Sequence, residues 1–241
     1  MSKVRISFVL ASYNGAAFIQ EQLTSILALL DQNDEIVISD DGSTDGTLER
    51  IRMFDDPRIR LLPIGKRLGY QGNFARAIAA TRGTYVFFSD QDDICLPARV
   101  HLSLAALQQA ACVCGDATVV DEVLSPLHES HFEHRHARFS LGWLIARPAV
   151  IGATLACNRD FILANLPFPD GVPHDLWLSV QAARHNQLVV IRQPFILYRR
   201  HRDAVSSTSA TSRRTILARL TERYRLVRAM MRPLQQVPRH G

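Results

Sequence analysis

GTYVFFSDQDD, residues 83–93, runs from a short β-branched and aromatic stretch straight into three carboxylates within four positions. The stretch TYVFFS is too brief for an ordinary helix and reads as a buried strand, so the acidic cluster is predicted in the loop at its carboxyl end. The same pattern occurs twice upstream. Lys3–Ala11 is an apolar run that ends in SYNG (12–15), and Glu35–Ser39 (EIVIS) runs into DDGSTDGT (40–47). Between the runs, Phe18, Leu23, Ile26, Leu27 and Leu30 recur at helical spacing, as do Leu48, Ile51 and Phe54. Ser43, Thr44 and Asp45 are candidate caps for the second of these helices, and Pro57 follows its end. Arg58–Pro63 is predicted as a further strand and Asn73–Thr81 as a helix. This alternation predicts an α/β fold built from βαβ units, with a mostly parallel, Rossmann-like sheet and helices on both faces. In such sheets ligands bind beyond the carboxyl ends of the strands, so SYNG, DDGSTDG and DQDD are predicted to meet along one edge.

The remaining sequence is less regular. Pro97 opens a predicted helix to about Ala110, and Cys112–Asp121 and Ala149–Cys157 read as strands. The stretch from His128 to Arg138 carries His128, His131, His134 and His136 and reads as a mobile polar loop. Asp175–His185 has helical spacing, and Leu188–Ile191 and Phe195–Tyr198 read as two short strands. Ile216, Leu220, Tyr224, Val227 and Met231 then recur at helical spacing among arginines, the pattern of a basic amphipathic helix. A domain over 1–210 and a basic tail over 211–241 are expected. Residues 211–241 hold eight arginines against Glu222, more than the whole net charge of +5, so residues 1–210 are slightly acidic. The tail therefore invites an anionic membrane surface or packing on protein, and its single stacking aromatic, Tyr224, argues against nucleic acid. The first ten residues lack a signal-peptide core and no apolar run reaches the ~18 residues needed to span a bilayer, which predicts a cytoplasmic chain, peripheral on the inner membrane face if the tail binds lipid. Cys95, Cys112, Cys114 and Cys157 show no paired spacing and read as buried thiols.

Asp90, Asp92 and Asp93, if all ionised, repel at close range. Two readings resolve this: a Mg²⁺ or Mn²⁺ ion that shares carboxylates with phosphate oxygens, or one aspartate capping the Pro97 helix while the others are solvated. DDGSTDG resembles a calcium loop at Asp41, Ser43, Asp45 and Gly46, but Arg52 stands where the closing glutamate belongs, so that reading fails. Ser43 or Asp45 then caps the following helix, and Asp41 is left to face a ligand. The spacings of the four histidines match no familiar metal site. Asp175, after Pro173 and His174, suits a helix N-terminus as a cap.

Taken in order, VRISFVLASYNG, EIVISDDGSTDGT, KRLGYQGNFARAI, GTYVFFSDQDDICLP, HDLWLSVQAA and FILYRRH resemble the family 2 glycosyltransferases, which have a GT-A fold, and among them bacterial rhamnosyltransferase-like enzymes of cell-surface polysaccharide synthesis. The resemblance spans about Val4 to His201. It implies an inverting transfer of a sugar, rhamnose or another hexose, from a nucleoside-diphosphate donor of the dTDP or UDP type to a saccharide or lipid-linked acceptor, with Mn²⁺ or Mg²⁺ as cofactor. By position, Ser12, Tyr13 and Asn14 match the loop around the base, Asp41 the aspartate that binds a pyrimidine, and Gly69 and Asn73 further donor-binding positions. Asp90 and Asp92 match the DXD motif, the first beside ribose and metal, the second a metal ligand. Asp175 matches the catalytic base, and His201 matches a position that reaches the metal or diphosphate. Cys95, Leu176 and Arg202 depart from residues usual in these relatives, which leaves donor identity open. A sugar nucleotidyltransferase would need a glycine-rich, basic triphosphate loop that SYNGAAF lacks; a binding protein that has lost its chemistry would not need Asp90, Asp92 and Asp175.

Overall fold

Alternation along the central strands sorts their side chains to two faces and so sets the layers. The computed structural model describes residues 5–200 and 216–231. Its first half runs β1 (Ile6–Ser12), α1 (Ile19–Leu27), β2 (Glu35–Asp40), α2 (Thr47–Arg52), β3 (Ile59–Leu61), α3 (Gly69–Ala79) and β4 (Tyr85–Asp90). The second half runs β5 (Ile94–Cys95), α4 (Ala98–Leu107), β6 (Cys112–Val120), β7 (Pro126–His128), α5 (His131–His134), α6 (Leu141–Ala146), a 3-10 turn at Gly152–Thr154, β8 (Leu155–Asn158), α7 (Arg159–Ala164), α8 (His174–Arg184), β9 (Leu188–Arg199) and α9 (Ile216–Met230).

Phe8, Leu10, Ile36, Ile38 and Phe87 face one core, with Ile19, Leu23 and Ile26 of α1 and Leu104 and Leu107 of α4. Val9, Val37, Val86 and Phe88 face the other, with Phe74, Ala77 and Ile78 of α3, Leu176, Trp177 and Val180 of α8, and Leu226 and Ala229 of α9. This is the period-two division expected of strands covered on both faces.

The sheet order is β3-β2-β1-β4-β8-β6-β9-β5, with β7 beside β6. β3, β2, β1 and β4 are parallel as predicted. Beyond β4 the sheet is mixed, because β8 pairs antiparallel to both β4 and β6.

Several expectations need correction. Residues 149–157 are not one strand: Gly152–Thr154 coils into a 3-10 turn, and the Thr154 hydroxyl donates to the Ile151 carbonyl at 2.9 Å. Residues 188–199 form one strand, not two. Its register against β6 shifts around Gly115 and Asp116, where Pro194 sits opposite, and a Cβ on Gly115 would fall 2.1 Å from the Phe195 ring. The histidine-rich segment is ordered as α5, because the buried Asp116 accepts from the Ser130 hydroxyl (2.5 Å) and the Phe132 amide (2.9 Å) while Ser130 caps the turn. His131 is buried in it, its Nε2 3.1 Å from the Ala149 carbonyl, and burial pushes its pKa down to about 4. α2 is preceded by Gly46 in a left-handed conformation (φ +90°), not by a Ser, Thr or Asp cap. The four cysteines are free and buried as expected. Among the described residues no helix is long and apolar enough to cross a membrane.

Candidate active site

Register puts the three polar strand ends level: Ser12 pairs with Asp40 and Ala11 with Asp90. The chain lays β2 and β3 to one side of β1 and then crosses to lay β4 on the other, so a switch point with its crevice lies where these strands end.

On the β2 side the loop is closed by its own hydrogen bonds. Asp40, fully buried, accepts from the Ser12 hydroxyl (2.7 Å), the amides of Gly42 (3.0 Å) and Ser43 (2.7 Å), and the Ser43 hydroxyl (2.6 Å). Asn14 is tied to the same loop at both ends, its amide donating to Ser43 and its side-chain oxygen accepting from Thr44, each at 2.9 Å. Asp41 is not left open. Its two oxygens accept from the amides of Leu68 (2.7 Å) and Gly69 (2.9 Å), a turn made possible by Gly69 at φ +70°. The Arg67 guanidinium lies 3.8 Å from Asp41 and stacks 4.1 Å over the half-exposed ring of Tyr13. Tyr13 exchanges two backbone hydrogen bonds with the Gln91 side chain, and Gly15 is required beside them because a Cβ there would fall 2.2 Å from the Gln91 oxygen.

On the β4 side the carboxylates are less satisfied. Burial pushes the Asp90 pKa up to about 8, and the charges of Asp92 and Asp175 push the same way against Arg99. Burial, with Asp92 and Asp90, also holds Asp93 well above the usual range. Asp93 caps no helix: one oxygen accepts from the Arg199 amide at 3.1 Å, and its Oδ2 has no hydrogen-bond partner among the described residues. Pro97 occupies the N-cap position of α4. Arg199 clamps the acidic loop from β9, donating to the Asp92 carbonyl (2.9 Å), the Glu122 carbonyl (2.7 Å) and Glu21 (2.5 Å). Arg99 lies fully buried beneath the loop, donating to the Phe88 carbonyl and facing the Phe8 ring at 5.0 Å.

Asp175 stands in the first turn of α8, after Pro173, and its oxygen accepts from the Leu176 amide at 2.8 Å. His174 beside it is fully buried, stacked on Phe88 at 5.1 Å and 4.5 Å from Phe74, and neither ring nitrogen has a hydrogen-bond partner among the described residues. Burial pushes its pKa down to about 3, so the ring is neutral. Tyr70 covers His174 at 5.2 Å. Burial of its hydroxyl and the charges of Asp90 and Asp175 raise its phenol well above the ordinary value, while 45% of the residue stays exposed.

The fold thus gathers Tyr13, Asn14, Asp41, Gly69, Asp90, Asp92 and Asp175 around one crevice. Ser12 and Asn73 are buried and serve the scaffold: Ser12 is held by Asp40, and Asn73 joins Ser39 (2.5 Å) to the Ser12 carbonyl (3.3 Å). His201 lies outside the described residues. Among those residues no group of three metal-ligating side chains is assembled. Gln91, Arg67, Tyr70, His174 and Arg199 escaped the sequence reading as site residues; all stand inside quoted motifs, but the roles of three of them depend on partners distant in sequence: Tyr13 for Gln91, Asp41 and Tyr13 for Arg67, and Glu21 and Asp92 for Arg199.

A family model described as glycosyl transferase family 2 matches residues 7–162. The dTDP-rhamnosyl transferase RfbG of Shigella flexneri is 30% identical over 212 residues, covering 80% of this chain and 71% of its own. The UDP-Glc:alpha-D-GlcNAc-diphosphoundecaprenol beta-1,3-glucosyltransferase WfaP of Escherichia coli is 32% identical over 211 residues, covering 84% of this chain and 80% of its own. The crystal structure of S. aureus TarS in complex with UDP-GlcNAc superposes with a TM-score of 0.69 at 16% identity over 86% of this chain, and the chain spans 61% of that structure. The expected GT-A fold is met.

Proposed function

The chain belongs to glycosyl transferase family 2, and from that premise we propose that it moves a hexose or deoxyhexose from a dTDP or UDP donor to a hydroxyl of a lipid-diphosphate-linked saccharide, inverting the anomeric centre. The observation that carries the reading is the register that sets the ends of three strands level at a switch point, Ser12 with Asp40 and Ala11 with Asp90, with Asp175 close enough to raise the Asp90 pKa. RfbG favours a deoxyhexose such as rhamnose on a dTDP carrier, and WfaP favours an acceptor built on a membrane lipid. Such an acceptor puts the reaction in cell-surface polysaccharide synthesis, at a bilayer surface.

The crevice divides into two halves. Tyr13 and Arg67 offer a ring face and a guanidinium to the base, while Asp41 is held by two amides in an orientation that leaves its outer lone pairs for a pyrimidine N–H. The acidic loop suits a divalent cation. Mg²⁺ and Mn²⁺ sites of this class use one or two carboxylates and take the remaining ligands from phosphate and water, which fits a loop that offers Asp92 and Asp90. The raised pKa of Asp90 and the Oδ2 of Asp93, which has no partner among the described residues, mark a crowding of carboxylates that such an ion offsets. When bound, the ion supplies neutralisation of the charge that grows on the leaving diphosphate. Arg199 and Arg99 fix the loop that would hold it.

Asp175 is the base. Its carboxylate takes the proton from the acceptor hydroxyl as that oxygen attacks the anomeric carbon from the face opposite the diphosphate, so one bond forms as the other breaks. His174, neutral and packed in aromatic rings, adds no charge beside it. A thermal-shift screen with UDP, dTDP and GDP sugars plus Mn²⁺ tests the reading: stabilisation by a UDP or dTDP sugar is expected. Indifference to every nucleotide sugar and nucleoside diphosphate would sink it.

A further inference from the structure

The C-terminal helix α9 has two faces, and only one of them is used by the fold. Leu226 and Ala229 are buried against the core shared with α6 and α8, the Arg184 guanidinium donates to the Met230 carbonyl at 2.7 Å, and the Arg225 guanidinium lies where a Cβ on Gly171 would be, at 2.1 Å. The helix is therefore fastened to the domain beside the loop that leads into Asp175. On its other side Leu220, Tyr224, Val227 and Met231 are exposed by 61%, 65%, 46% and 81%. Spacings of four, three and four place them in one stripe along the helix. Arg219 and Arg228 are exposed beside the stripe, and Glu222 is paired with Arg223 at 2.8 Å, so no carboxylate of the described helix is left to offset them. Next to α9, the Trp143 ring of α6 lies 4.9 Å from the Arg138 guanidinium and 5.7 Å from that of Arg147.

We propose that the exposed stripe of α9, with its flanking arginines, docks the enzyme on an anionic lipid bilayer. An apolar stripe alone would suit many partners. A stripe rimmed by guanidinium groups without an acidic partner among the described residues suits a surface that is apolar below and negatively charged above, which is the acyl and headgroup boundary of an anionic membrane. The sequence alone opposed a membrane helix to a helix packed on its own domain; the structure lets α9 be both, because Leu226 and Ala229 point one way and the stripe the other. The purpose of the contact rests on the lipid-linked acceptor proposed above, whereas the contact itself rests on the helix.

Cosedimentation of the full chain with vesicles tests this. Binding is expected to vesicles holding about 30 mol% phosphatidylglycerol, with little binding to pure phosphatidylcholine and a marked loss at high salt. Leu220→Ser/Tyr224→Ser/Val227→Ser and, separately, Arg219→Ser/Arg228→Ser should each weaken binding at least about tenfold. Stabilisation by UDP or dTDP with Mn²⁺, measured on the same samples, should be unchanged, which keeps a failure of the donor reading distinct from a failure of the docking face. The arginine pair also stands in if the stripe variant fails to fold. Absence of vesicle binding by the parent, or equal binding by parent and arginine variant, would overturn the proposal. So would a parent dimer that the stripe variant converts to monomer without any vesicle binding, since the occupant would then be a second copy.

Discussion

DDGSTDG and DQDD are both acidic loops at the carboxyl ends of parallel strands that flank β1, yet they are chemically opposite. Asp40 is fully buried and accepts four hydrogen bonds, and Asp41 accepts two amides. In DQDD the partly buried Asp90 has a pKa pushed up to about 8, and Asp93 keeps an oxygen without a partner among the described residues. A loop whose carboxylates are hydrogen-bonded by the chain is set in place before any ligand arrives. A loop that crowds carboxylates and leaves an oxygen of the buried Asp93 without a hydrogen-bond partner among the described residues is built for something that arrives later, because an unsatisfied buried carboxylate is costly. The difference separates the part that shapes the crevice from the part that does its chemistry.

The largest break in that comparison lies across the crevice, at the base. Asp175→Asn should lower turnover by about 10²- to 10⁴-fold while calorimetric donor affinity stays near the parent's; a parallel loss of donor binding would move Asp175 to the donor side. Next is Asp92→Ala. Losing an outer-shell partner of a metal typically costs about 10- to 100-fold in affinity, and loss of a ligand should cost at least that much of the Mn²⁺-dependent donor binding. If donor titrations with and without Mn²⁺ gave the same ratio for variant and parent, Asp92 would not be a ligand.

A smaller effect separates scaffold from chemistry directly. Asp40→Ala strands the Ser12 hydroxyl and the Gly42 and Ser43 amides and should cost about 2–4 kcal/mol in urea unfolding. Asp93→Asn keeps an acceptor for the Arg199 amide and removes a carboxylate that burial already disfavours as an anion, so stability at neutral pH should change by less than about 1 kcal/mol. Equal losses in the two variants would erase the contrast.

The effect that is smallest at neutral pH concerns His174, whose pKa falls from 6.5 to about 3 on burial. Below pH 6.5 the unfolded chain takes up a proton that the folded one refuses, so this residue favours folding fully above pH 6.5 and loses that contribution as the pH drops toward 3. The slope is about 1.4 kcal/mol per pH unit. His174→Phe fills the same aromatic surroundings without titrating, and its stability relative to the parent should rise as the pH falls from 7 to 4. A constant difference across that range would mean the ring is solvated or protonated in the folded protein.

The strand ends and the acidic loops were legible because each depends on neighbours in sequence: TYVFFS and EIVIS are apolar runs, and the residues after them can only be loops. The orientation of the acidic loop was not legible. Arg199 reaches it from 107 positions away, and Arg99 supports it from a helix that gives no sign of burying a guanidinium. The sequence left open whether one aspartate of the loop caps the Pro97 helix; Asp93 does not, since its partner is the amide of Arg199. The histidine segment was misread because its order comes from Asp116, on the strand beside it, and not from its own composition.

By itself the sequence determined the order of strands and helices from β1 to β4, the period-two faces of the central strands and the placing of three polar clusters at strand ends, because hydrophobic periodicity and turn chemistry are local properties. Only the tertiary structure decided which of those clusters is satisfied. It also brought Asp175 to Asp90 from the far end of the chain, and chose which face of α9 the core covers. Those outcomes depend on burial and on long-range partners, and a carboxylate or an apolar stripe has the same sequence whether or not the fold supplies it with one.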